Sequence, residues 1–587
     1  MGFVYGCLIF LIVSLCYLDI EGRTFLVSNY SAYPNDNIDD TSGIQNALND
    51  AASYGRNNIV LFESGTYDCF GGFTIYGATN LTIMGQGMYE TLLLGHRPSG
   101  MFWIQGINTM LISSLSIDYD PLPFTAGYVV NATSTYLDVQ IVPPHRPDIN
   151  RQVSAILRYD PTLMRPAIGS RAYEVYQTPP NNANTTLVSN GVLRIPVAWQ
   201  MYFGIGDAIV ARYVSTGHVI SGQSLTNITI KSVTIYTGWY MALTFKVAGL
   251  NVIDFHVKPR AGRWLSTSAD CMHFGDARNY INIFNSSCEG QGDDGLNVHA
   301  YYYKVTEIFN STALTLTEYN WPEVLNVGVG TNLEFVSGQQ PFVGYATATI
   351  VSLTGNGGNS KLFIFANPIN ASVGDWAVVA DTPTVTIRNF TAANNRARGI
   401  LLQARNITVT QSLFNQTSGP AVLFGASLYW HEGPTARNVT LDQNVYISCN
   451  EGIAQGNGVI SISPDLIAPV PVITNIQITS STFLNGQYSK YPIQSSNGGG
   501  VSIRNNYFSM KNYSNPIVIL CNSQNISAFN NTVISNASVI SQFVTYASTG
   551  ACNSSLSSYI NLPDSAFNAS FRPPVIATSL GVQINNF

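Results

Sequence analysis

Charge is what this chain has least of. Of its 587 residues only 10% are Asp, Glu, Lys or Arg, against 45% hydrophobic. A chain with that balance can bury a core, which excludes a disordered protein. The 27 basic residues form no patch and the formal net charge is −6, so nucleic acid is excluded as a partner. Cysteine and histidine are scarce, 8 and 7, and none fall at the spacing of a zinc site. Neither a metal nor another cofactor is expected. Beyond the first residues no run is apolar enough to span a bilayer, and the end, Gly581 to Phe587, lacks a lipid-anchor tail.

The one apolar run, Phe10 to Cys16, lies within Met1 to Gly22. It is too short for a span and fits the core of a signal peptide, with a membrane anchor as the competing reading. A leader over 1–22 predicts a secreted, extracellular protein with no membrane contact after its removal. Many Asn-x-Ser/Thr triplets agree, among them those at Asn80, Asn131, Asn227, Asn285, Asn406, Asn438 and Asn525. Without the leader six cysteines remain: Cys69, Cys271, Cys288, Cys449, Cys521 and Cys552. In an oxidising compartment all six can pair. The sequence leaves the connectivity open, and Cys521 with Cys552 is the expected clasp near the C-terminal end.

What the chain does have is a loose repeat. A short strand alternates apolar and polar residues, often after Asn, then meets a polar turn and a Phe, Tyr or Val. Copies start at Asn227, Tyr280, Ile407, Val439, Ile476, Val501 and Ile526, the last three 25 residues apart. Such spacing belongs to solenoids, and no helical period intervenes. A propeller blade needs a longer, four-stranded unit. The expected fold is all-β: a right-handed parallel β-helix with two β-rich, barrel-like insertions.

The segment Asp39 to Ala52 places Ile44, Leu48 and Ala51 or Ala52 on one face, with acidic and hydroxyl residues at its start. A helix there would cover the open first rung. A strand over Asn58–Phe62 and a turn at Gly65–Tyr67 should follow. The predicted organisation is a cap and first rungs over 23–120, a β insertion over 121–222 and central rungs over 223–301. A second insertion over 302–381 and C-terminal rungs with a tail over 382–587 complete it. Walls in these positions would turn an open groove into an end pocket.

The chemistry concentrates in two segments: Ser268-Ala-Asp270-Cys-Met-His273 and Gly292-Asp293-Asp294-Gly295-Leu-Asn297-Val-His299. Asp270 and Asp293 are 23 residues apart, one rung, which predicts neighbouring strands about 4.8 Å apart. On a regular strand Asp293 and Asp294 would face opposite ways, and Gly292 and Gly295 would permit a turn presenting both. Three carboxylates so close cannot all ionise cheaply, so at least one should hold its proton. One protonated acid beside one carboxylate suits glycoside hydrolysis. Read alone, a Gly-Asp-Asp-Gly turn is ordinary surface chemistry, and an acidic cluster also suits calcium.

These segments resemble the three-aspartate site of the polygalacturonase-type β-helix glycosidases, although that group's Gly-His-Gly segment is absent. They are more similar to glycoside hydrolase family 110, the inverting α-1,3-galactosidases. Ile117–Gly127, Asn395–Gln403 and Trp430–Asn438 carry the same likeness, which extends from about residue 35 to 510. The resemblance implies an exo-acting enzyme that removes terminal α-1,3-linked galactose by inversion. Asp293 would then be the general acid, with Asp270 and Asp294 holding and deprotonating water. Arg396, Arg398, Trp430 and Glu432 would line the sugar subsite, joined by His273, Asn297 and His299 as substrate-binding candidates. The partner is an oligosaccharide or polysaccharide, and the oligomeric state stays open, a homodimer included. Two other classes compete: a polygalacturonase- or lyase-type polysaccharide enzyme, and a non-catalytic glycan-binding surface protein.

Overall fold

The computed structural model describes residues 22–176, 183–198, 202–214, 217–318, 327–355, 359–452, 458–511, 515–535, 543–546, 552 and 559–561. The expected leader, apart from Gly22, and the tail after residue 561 lie outside the described residues. Short strands coil into the expected parallel β-helix. Its logic is the sequence alternation. Ile228, Leu250, Ile281, Val385, Ile407, Val439, Ile476 and Val501 stack rung on rung and all are buried. A column of rings runs beside them: Phe414 on Tyr446 at 5.3 Å, Tyr446 on Phe483 at 4.6 Å, and Phe483 on Phe508 at 4.7 Å. Each such ring contributes about 1.5–3 kcal/mol by leaving water.

At the turns, Asn475 donates to Asn438 and Asn438 to Asn406, both at 3.1 Å. All three sit in the left-handed region, which Asn tolerates better than most residues. The 25-residue period of the last copies is the register itself: Ile476 pairs with Val501, and Ser502 with Ser527.

The cap is the helix Thr41–Tyr54, with Ile44, Ala47, Leu48 and Ala51 buried. Asp39 Oδ1 accepts from the Thr41 N–H at 2.9 Å and serves its first turn. The turn expected at Gly65–Tyr67 is instead the start of a strand, Gly65–Cys69, because its residues pair with Thr91–Gly95 in the next rung.

Two antiparallel units interrupt the coil. The first is an eight-stranded sheet whose path opens at Arg165–Pro166 and ends at Thr186–Ser189, so it is an open sheet among the described residues. The second closes. Leu296–Asn310 pairs with Ala313–Thr317, which pairs with Ser360–Phe365, then Gly344–Thr354, Asn332–Val336 and Trp376–Val379. That last strand returns to Leu296–Asn310. This is a six-stranded barrel, and closure removes its free edges. Its strand Leu296–Asn310 begins as a β-helix rung, so the barrel grows directly out of the coil. Glu334 of the barrel pairs with Arg405 and Arg437 of the rungs, tying the two together.

Disulfides join Cys271 to Cys288 and Cys521 to Cys552. The second is the expected clasp. Full pairing of six cysteines does not occur, because Cys69 and Cys449 are each buried alone in the core.

Candidate functional site

Three bends in one column of the coil build the site. They lead into Met272–Gly275, Leu296–Asn310 and Ile400–Leu402, where Met272 stands over Leu296 and Leu296 over Ile400. That register puts Asp270 level with Asp294, not with Asp293, a correction of one residue to the 23-residue spacing. Cys271 N–H donates to the Asp294 carbonyl at 2.9 Å, and Gly295 N–H to the Arg398 carbonyl at 3.0 Å. Each carboxylate also caps the next rung: Asp270 Oδ1 accepts from Asp294 N–H at 3.3 Å, and Asp294 Oδ1 from Arg398 N–H at 2.8 Å. Asp293 lies one position off this ladder. One oxygen from each of the three carboxylates falls within 4.8 Å of the others.

Gly292 and Gly295 have a reason other than turn freedom, since neither is in the left-handed region. A Cβ on Gly292 would sit 2.4 Å from the Ser268 carbonyl oxygen, and one on Gly295 would sit 2.3 Å from that of Gly399. Both are glycine because the rungs stack too closely for a side chain. Gly295→Ala is therefore expected to cost about 1–3 kcal/mol by overpacking. Scanning calorimetry checks this, and an unchanged midpoint would show that the rungs spread freely.

The first insertion completes the site with residues that no motif marked. Arg212, 4% exposed, donates from Nη1 to the carbonyls of Ser268 and Gly292, both at 2.7 Å, and so pins the two aspartate bends together. Tyr176 OH donates to Asp293 Oδ2 at 3.0 Å. Glu174 pairs with Arg396, whose Nη1 reaches Asp293 Oδ1 at 2.7 Å. Asn395 Nδ2 lies within 3.0 Å of the carbonyls of Asp293, Arg396 and Arg398. Tyr176 stands 117 residues before Asp293, with Glu174 on the same strand, and only the folding back of that strand onto the coil unites them. Asn395, by contrast, was readable as the start of the Asn395–Gln403 motif.

On the other side a histidine chain leaves Asp270. His273 Nδ1 is 2.7 Å from Asp270 Oδ2, and His273 Nε2 is 2.8 Å from His299 Nε2. His299 Nδ1 then meets the Ala300 carbonyl at 3.1 Å. Glu432 approaches this chain from the base of a hairpin whose bridge joins Ser427 to Glu432. Its Oε1 is 3.7 Å from His299 Nε2, and its Oε2 is 3.5 Å from Asn297 Nδ2. Trp430 is placed differently from the other predicted residues, at the tip of that hairpin, 62% exposed and edge-on to Tyr429.

The surroundings split the charge of the three aspartates. Burial alone would raise Asp293, but the guanidiniums of Arg396, Arg398 and Arg212 outweigh it and hold the carboxyl below its usual range. Burial raises Asp270, with the Asp293 charge adding, against the opposing hydrogen bond of His273. Burial likewise pushes Asp294 up, opposed by Arg398, whose Nη2 lies 2.7 Å from Asp294 Oδ2. Burial would lower His273, yet Asp270 raises it overall. Burial takes His299 down to about 4. Glu432 stays low because His299, His273 and Arg398 overcome its burial. Among the described residues two donor sets are compact enough to hold a cation, the three aspartates and the group His273, His299 and Glu432.

No family model matches the chain. It has homologues named alpha-1,3-galactosidase. It is 26% identical to alpha-1,3-galactosidase B of Akkermansia muciniphila, the match covering 78% of this chain and 57% of that protein. It is 24% identical to alpha-1,3-galactosidase B of Bacteroides thetaiotaomicron, over 80% of this chain and 84% of the relative. The chain thus spans little more than half of the first protein and most of the second. Among solved structures it is similar to the family 28 exopolygalacturonase of Yersinia enterocolitica, with 10% identity and a TM-score of 0.45 over 90% of this chain and 75% of that one.

Proposed function

We propose that this protein is a glycoside hydrolase that removes terminal α-1,3-linked galactose from glycans. The observation that carries the reading is the charge split within the Asp270, Asp293 and Asp294 cluster, in a chain similar to proteins named alpha-1,3-galactosidase. Bond cleavage between sugars needs one group that yields a proton and one that takes a proton from water.

Asp293 is the base. It carries the charge that Arg396 and Tyr176 stabilise, whereas the family resemblance would have made it the acid. Asp270 is the acid. Asp294 is unsuited to donate, because Arg398 directs an N–H at each of its oxygens. The step then balances. Asp270 gives its proton to the glycosidic oxygen as the bond to the anomeric carbon breaks. Asp293 takes a proton from the water that attacks that carbon. Arg398, Asn297 and Glu432 supply donors and acceptors for the sugar hydroxyls, and Trp430 offers a ring face beyond them. The strand Glu174–Tyr176 on one side and the Ser427–Glu432 hairpin on the other favour attack on a chain end.

Inversion follows the resemblance. A second reading, double displacement with Asp293 as nucleophile, is favoured by the short spacing. The 4.8 Å cluster is nearer the retaining separation of about 5–5.5 Å than the inverting one of about 6.5–9.5 Å. The natural setting is extracellular, in keeping with the two disulfides. No helix among the described residues is long and apolar enough to cross a membrane.

The test is incubation with a terminal α-1,3-galactosyl disaccharide, with and without chelator, followed by proton NMR. The expected first product is β-galactose. α-Galactose first would replace inversion by double displacement. No release, with cleavage of polyuronates instead, would move the protein to the pectin-active class.

A further inference from the structure

We infer that His273 and His299 form a proton-ordering pair that keeps Asp270 supplied with the hydrogen it delivers to the leaving oxygen. The inference rests on the assignment of Asp270 as the acid. It follows from counting donors and acceptors along the chain of contacts. The Ala300 carbonyl can only accept, so His299 Nδ1 must carry a hydrogen to reach it at 3.1 Å. His299 is wholly buried, and that burial outweighs the Glu432 carboxylate 3.7 Å away and takes the ring down to about 4, so it carries no second proton. Its Nε2 is therefore a bare acceptor.

Among the described residues the partner for that lone pair, across 2.8 Å, is His273 Nε2, which must then be the N–H. With its Nε2 hydrogen committed, His273 turns Nδ1 toward Asp270 Oδ2 at 2.7 Å. Two unprotonated atoms would repel at that distance, so one proton lies between them. It is either the carboxyl hydrogen of Asp270 held by a neutral ring, or a ring hydrogen held by the carboxylate. Both forms keep one transferable proton beside the site.

Glu432 does not disturb the order. At 3.7 Å its Oε1 is outside hydrogen-bond reach of His299 Nε2, whereas the His273 contact is not. The other charged and titratable groups facing the pair come from four directions. Asp293, Asp294 and Arg398 approach from the neighbouring bends, and Lys246 from the strand Leu243–Val257. His218 and Tyr240 lie on the preceding turns, and the Tyr301 ring packs 4.7 Å from His299. Asp270 raises the His273 ring, while burial and the Asp293 charge hold the Asp270 proton against the opposing pull of His273, so both sides of the 2.7 Å contact compete for one proton. After turnover Asp270 is a carboxylate opposite a bare Nδ1. That repulsion draws back the proton that Asp293 took from water and released to solvent. His273 and His299 are thus positioning residues acting through Asp270.

The test compares His299→Leu with His299→Gln, whose amide oxygen can still accept from His273 Nε2. Two substrates are used, the α-1,3-galactosyl disaccharide and 4-nitrophenyl α-galactoside. The nitrophenolate leaves with little protonation, so it reports on everything except the acid. In His299→Leu the His273 ring is free to move its hydrogen to Nδ1 and hold Asp270 as a plain carboxylate. Disaccharide kcat/KM should then fall by about ten- to a hundredfold, a part of the 10²–10⁴ that a general acid supplies in full. The nitrophenyl substrate should lose far less.

The alkaline limb of the disaccharide profile should move to lower pH, because Asp270 loses its proton earlier. His299→Gln should restore much of both. Equal losses on the two substrates with an unmoved limb would overturn the inference and leave the histidines as sugar or structural contacts. So would a Gln variant as poor as Leu. If Asp270→Asn itself shows no preference for the nitrophenyl substrate, the acid assignment fails instead.

Discussion

Asp270→Asn is expected to lower disaccharide hydrolysis by about 10³–10⁴-fold while leaving much of the activity on 4-nitrophenyl α-galactoside, since general acid catalysis is worth about 10²–10⁴. Asp270 is buried, stands one rung from Asp294, and feels the fixed charge of Asp293, so its carboxyl holds a proton above the usual range. An amide at 270 keeps the shape and the acceptor toward Asp294 N–H but has no acidic hydrogen to give. Only a substrate whose leaving group needs no proton should tolerate that loss. Steady-state kinetics on both substrates checks it, and equal losses would remove Asp270 from the acid role.

Asp293→Asn should behave differently, losing at least about 10³-fold on both substrates, because activation of water is needed whichever group leaves. The pH profile supplies a second sign. Asp293 works ionised, and the guanidiniums of Arg396, Arg398 and Arg212 depress its titration, so the acid limb of kcat/KM should lie below the ordinary carboxylate range. Replacing Arg396 by Met removes the contact at 2.7 Å and should move that limb to higher pH. An acid limb that stays in place would mean that another group titrates there. A nitrophenyl rate that survives in Asp293→Asn would make this residue the acid, the role that the family resemblance implied.

These experiments divide the site along the line between what was legible and what was not. The cluster itself was legible: Ser268 to His273 and Gly292 to His299 are both short and carry aspartate and histidine, and the rung spacing brought them together. The charges on it were not. Asp293 differs from Asp270 through Arg396, Tyr176 and Glu174, and two of those three come from an insertion strand with no local signature. Trp430 and Glu432 are neighbours in one motif, yet the hairpin sends one to solvent and the other to His299. The six cysteines looked like three bonds. Core packing buries Cys69 and Cys449 separately, unbonded among the described residues.

By itself the sequence determined the coil. Apolar residues at every second position of a repeated strand have only one efficient way to be buried, stacked on their copies, and glycine and asparagine mark where each rung must bend. It also determined that two carboxylate bends would meet, because one rung of chain returns a residue to the same face. The tertiary structure decided the register to the single residue, which places Asp270 over Asp294. It decided the closure of the second insertion into a barrel that carries His299 on its first strand. It decided, too, which aspartate stays charged. Register, closure and charge all depend on groups distant in the chain, and a pattern of neighbours along the sequence carries no information about which distant arginine or tyrosine will fold back onto a carboxylate.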